Sequence, residues 1–171
     1  MTLLSRLFRR SDPRDAMAPL YAACVAEGRQ PHWYVEGKVP DTLDGRFDMI
    51  AAIVSLVLLR LSALDAKQES VWLTELFVND MDGQLRQIGI GDVVVGKHIG
   101  RMMSALGGRI SAYEAGLASD GDLSAALVRN LYRGEAPGDA AVGHVAERLR
   151  ALGAGLDSMS LPVMMEGRLR P

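Results

Sequence analysis

The sequence predicts an all-α, single-domain bundle of six to eight helices with a long apolar central helix. Apolar residues recur at three- and four-residue spacing along most of the chain, and no segment shows convincing strand-like alternation. With 171 residues, 49% hydrophobic but only 5% aromatic, the chain has one-domain length and a core of Leu, Val, Ile, Ala and nine Met. The β-branched run Val93-Val94-Val95 fits a helix start.

Ser11-Asp12-Pro13 offers a cap and a first-turn proline, and Met17, Leu20, Tyr21, Cys24 and Val25 follow as one helical face closed by Gly28. Pro19 deletes a hydrogen bond and moves the start toward Ala18. Residues 29–40, with two prolines and His32-Trp33-Tyr34, read as an ordered loop. Asp41-Thr42-Leu43-Asp44 supplies caps for the apolar helix through Leu64, which is bracketed by charges too early to span a bilayer. A third helix runs from Gln68 to about Gln87. A fourth carries Val95, Ile99, Met102, Met103 and Leu106, and is ended or bent by Gly107-Gly108. A short fifth holds Ile110, Tyr113 and Leu117, a sixth starts at Asp122, and a seventh carries Val142, Val145, Leu149 and Leu152. These readings divide the chain into a basic amphipathic arm (1–14), an all-α domain (15–152) and an irregular tail (153–171).

Composition excludes several functions. A net charge of -2 with few aromatics leaves neither the basic footprint nor the stacking platforms of nucleic-acid binding. One cysteine, Cys24, allows no intrachain disulfide and fits a reducing compartment. The arm is different: four arginines against Asp12 give residues 1–14 a charge of +3 and leave -5 for the body. Leu4, Leu7 and Phe8 at helical spacing with Arg6, Arg9 and Arg10 make it a candidate membrane contact, set against a solvated terminus.

Gly91 to Lys97 matches most of a phosphate-binding loop, but His98 stands where Mg²⁺ needs a hydroxyl and Asp92 repels phosphate. Asp80-Met81-Asp82-Gly83 opens like a calcium loop without its distal ligands. His32, His98 and His144 are scattered without ligand spacing, so no metal site or cofactor is predicted. Asp41, Asp44 and Asp48 around Arg46 read first as capping and helix-end charges, and second as a charged rim for orienting a partner.

Arg29-Gln30-Pro31-His32-Trp33-Tyr34, Asp41-Thr42-Leu43-Asp44-Gly45-Arg46-Phe47-Asp48, Gly89-Ile90-Gly91-Asp92 with Val95-Gly96-Lys97, Gly108-Arg109 and Ala112-Tyr113 together resemble the ubiquinol–cytochrome c chaperones. The resemblance covers roughly residues 17–135. Gln87 and Leu106-Gly107 depart from the family's pattern. It implies a non-catalytic, all-α assembly factor of respiratory complex III that binds newly made cytochrome b, here a bacterial-type member at the cytoplasmic face of the inner membrane. Shielding apolar helices calls for a groove of adaptable side chains. Trp33, Tyr34, Phe47, Met102 and Met103 are its candidate lining, although Phe47 and the two methionines fit a core equally well. Arg46, Arg86, Lys97, Arg109 and Tyr113 are its candidate polar frame. The alternatives are a peripheral membrane module tethering other factors through the arm, and a nucleotide-binding protein resting on Gly91 to Lys97 alone.

Overall fold

The computed structural model describes the backbone of residues 12–87 and 92–170, and side chains within these outside 84–103. Asp12 caps a 3-10 turn, Pro13–Met17, by accepting from the Arg14 amide at 3.0 Å. Eight α-helices follow among the described residues: α1 (Ala18–Gly28), α2 (Pro31–Val35), α3 (Leu43–Ala63), α4 (Lys67–Gln87), α5 (Asp92–Leu117), α6 (Leu123–Asn130), α7 (Asp139–Asp157) and α8 (Leu161–Met165). No strand occurs among these residues.

Helix α3 is packed by α1, α4, α5 and α7, so its residues 48–58 and Leu61 are buried on every side. The long apolar central helix expected here also carries two buried polar residues, Asp48 and Ser55. Ser55 is satisfied within the helix, donating to the Ala51 carbonyl at 2.7 Å. Asp48 needs partners from elsewhere in the fold. Thr42, rather than a neighbouring aspartate, caps α3 by accepting from the Gly45 amide at 3.1 Å.

Three boundaries differ from the sequence reading. The proline-rich 29–40 segment contains α2, because Pro31 sits in the first turn, where a missing amide hydrogen costs nothing. The expected fourth and fifth helices are one: Gly107 and Gly108 lie inside α5 with open space around them, so neither forces a break. The tail expected to be irregular is packed structure. Helix α7 runs on to Asp157, Pro162 starts α8, and Leu156, Met159, Met164 and Leu169 are buried. Gly167, at φ +85°, makes the turn that lays this segment against Pro19. Arg60 secures the same region, donating to the Met159 carbonyl at 2.7 Å. The arm residues Leu4, Arg6, Leu7, Phe8, Arg9 and Arg10 lie outside the described residues.

A Cβ at Gly45 would collide with the Pro40 carbonyl, whereas one at Gly107 or Gly108 meets nothing within 4 Å. Gly45→Ala is therefore expected to destabilise the fold by about 2 kcal/mol or more. Gly107→Ala and Gly108→Ala should each stabilise by up to ~1 kcal/mol, read by urea denaturation. Hydrogen bonding from Arg14 pulls the Asp12 carboxyl down to about 2. Its folded value is below its unfolded one, so its contribution is present above about pH 4 and lost as pH falls toward about 2. Asp12→Asn should flatten the acid limb of the unfolding profile in that window.

Candidate functional site

The aromatic segment of α2 is stapled to the end of α1. Trp33 Nε1 donates to the Glu27 carbonyl at 2.8 Å, and Tyr34 Oη to the Gly28 carbonyl at 2.6 Å. Gly28 itself has no room for a side chain beside Ile50. Trp33 is 1% exposed and belongs to the core, contrary to its expected role in a client groove; its indole is consumed in joining α1 to α2. Tyr34 is half-buried and lines an open cleft of about 310 Å³ with Arg29, Pro31, Val35, Asp41 and Arg46. Val35, 59% exposed, Leu43 and Val71 are the exposed large hydrophobic side chains among the described residues, and Val35 is the one of them that lines this cleft. Arg46 Nε donates to Asp41 at 2.6 Å across the cleft's edge, which is the neighbour pairing the sequence suggested.

A second constellation surrounds Asp48. Arg109 Nη2, from α5, lies 2.5 Å from Asp48 Oδ1. Arg133 Nε, from the turn after α6, lies 2.7 Å from Oδ2, and its Nη1 reaches Asp44 at 2.7 Å. Asp48 has no exposure, Arg109 little, and Arg133 is half exposed. Burial pushes the Asp48 carboxyl up, and the two guanidiniums pull only part of the way back. Phe47 stacks on Phe77 at 5.5 Å between ring centroids, and the Arg109 guanidinium lies 5.4 Å above the Phe47 ring. Tyr113 is wholly buried beside this network with its hydroxyl unpartnered, so it is core rather than a frame open to a client. Arg86, Lys97, Met102 and Met103 lie on α4 and α5 with side chains outside the described residues.

The fold thus brings Tyr34 and Arg46 to one open cleft, and Phe47 and Arg109 to a neighbouring charged seam. The sequence reading missed Arg133. It stands in a turn between periodic segments, and the signal available was Gly134 after it, since both residues adopt positive φ.

Burial pushes the Cys24 thiol up to about 12, away from the thiolate a nucleophile needs. Asp80, whose motif opens like a calcium loop but lacks its further ligands, lies inside α4 and accepts the Tyr21 hydroxyl at 2.6 Å. Residues 92–97 of the phosphate-loop match are helical, and 88–91 lie outside the described residues. Among the described residues no group of three His, Cys, Asp or Glu could hold a metal ion, and no helix is long and apolar enough to cross a membrane.

Comparison with known proteins places these features. The family model described as ubiquinol-cytochrome C chaperone matches residues 35–171, further toward the C-terminus than the 17–135 expected from motifs. The crystal structure of the Cbp3 homolog from Brucella abortus superposes with a TM-score of 0.77 at 29% identity, over 96% of this chain and 94% of that one. No curated protein matches the chain.

Removing one member of a buried ion pair strands the other's charge. Asp48→Ala is expected to cost about 3–5 kcal/mol. Arg133→Ala should cost less, because its guanidinium is half in water and Arg109 stays on the carboxylate. Chemical denaturation of the two variants reads the difference; equal losses would mean that Arg133 carries as much of the compensation as the buried pair.

Proposed function

We propose, from the premise that this chain belongs to the ubiquinol–cytochrome C chaperone family, that it is a complex III assembly chaperone that binds newly made cytochrome b. The observation that carries the reading is the extent of the likeness: a family model spanning 35–171 and a solved relative superposing over nearly the whole chain. The chaperone class agrees with a helical scaffold whose one cysteine is buried as a protonated thiol.

The client surface we assign is the cleft of Tyr34, Val35, Arg29 and Arg46. Its mix of Pro31, Tyr34 and Val35 with the charged Arg29, Asp41 and Arg46 suits the end of an apolar helix, where hydrocarbon meets polar loop. Phe47 and Arg109 are left out of this surface, since Phe47 is engaged by Phe77 and Arg109 by Asp48. On this reading the protein works at the cytoplasmic face of the inner membrane, and residues 1–14 add electrostatic attraction to anionic lipid.

Light crosslinking followed by affinity capture from membranes should recover cytochrome b. Val35→Asp with Arg46→Glu should lower the recovered amount at least several-fold while leaving the helical spectrum unchanged. Undiminished capture by that double variant moves the client elsewhere, and no capture by the unaltered protein removes the cytochrome b assignment. Liposome flotation with and without residues 1–14 tests the arm; loss of flotation on truncation with cytochrome b capture absent would favour a membrane-tethering module instead.

A further inference from the structure

His32 and His144 stand 112 positions apart, yet packing of α2 beside α7 sets His32 Nδ1 3.1 Å from His144 Nε2. The rings meet edge to face, with centroids 5.3 Å apart and planes at 69°. Both side chains are partly exposed, so an ion in water can reach the gap. Two facing imidazole nitrogens can share a proton or a metal ion. With metal–nitrogen bonds of about 2.0–2.1 Å, the observed separation subtends roughly 95–100° at a common ion, the angle of adjacent ligands.

The surrounding groups are mixed in sign. Glu27 and Glu36 add negative potential at His32, while Arg148 adds positive. Glu27 is itself held by Arg170 at 2.7 Å. With no third ligand among the described residues, water would complete the coordination.

We propose that His32 and His144 form an open, two-histidine site for a borderline divalent transition-metal ion of the Zn²⁺, Ni²⁺ or Cu²⁺ class, clamping α2 onto α7. Imidazole nitrogen is the donor these ions prefer over carboxylate or water alone. A bound ion would hold the helix that carries Tyr34 and Val35, one wall of the open cleft, against the body of the bundle. The proposal is independent of what the cleft binds.

Calorimetric titration of the full chain with NiCl₂ and with ZnCl₂ tests it. One saturable site is expected, with affinity falling at least tenfold in His32→Ala and again in His144→Ala, both checked for intact helicity by circular dichroism. Histidine ring NMR of the unaltered chain serves if either variant unfolds: substoichiometric Zn²⁺ should move the His32 and His144 signals together. No saturation below about 1 mM metal, unchanged affinity in both variants, or shifts confined to His98 would each overturn the site.

Discussion

A carboxylate with no exposure dictates much of this architecture. Asp48 sits on the helix that every other long helix packs against, and an isolated charge there would cost far more than the fold's whole margin. Two guanidiniums from separate parts of the chain must therefore arrive together. Arg109 comes from the middle of α5 and Arg133 from the turn after α6, so satisfying one residue fixes the placement of three segments. Arg133 also grips Asp44, tying the first turn of α3 into the same network. Replacing such a network by apolar packing is often neutral or stabilising elsewhere, so its value here lies in specifying one arrangement.

Periodicity made most helices legible, because α1, α4, α6 and α7 each bury one face and show it in spacing, while α3 shows itself as one long apolar run. The errors came from residues with two meanings. Gly107 and Gly108 end helices in many proteins, but here they lie on the open face of α5, where a small residue weakens a helix without stopping it. The proline-rich 29–40 segment and the 153–171 tail read as irregular, yet Pro31 and Pro162 serve there as first-turn residues of short helices. Helices of five residues carry too little repeat to be seen at all.

The candidate site was half legible. Arg46 and Tyr34 were selected by motif and do meet at one cleft. Trp33 and Tyr113 were selected on the same grounds and are core, because aromatic residues within a family motif can be held there by packing as readily as by recognition. What no linear reading could supply is the meeting of residues from distant helices: Arg133 with Asp48, and His32 with His144. Those pairings depend on how helices cross, which spacing within one helix does not encode.

The chain's far end closes over its beginning. Gly167 turns against Pro19, Arg170 pairs with Glu27, and Met164 and Leu169 are sealed from water. During vectorial synthesis α1 and α3 leave the ribosome long before these residues exist. The first helix must wait with part of its apolar flank uncovered until they emerge. A protein read as a guardian of unfinished chains thus keeps its own first helix partly uncovered until residues 164–170 have been made.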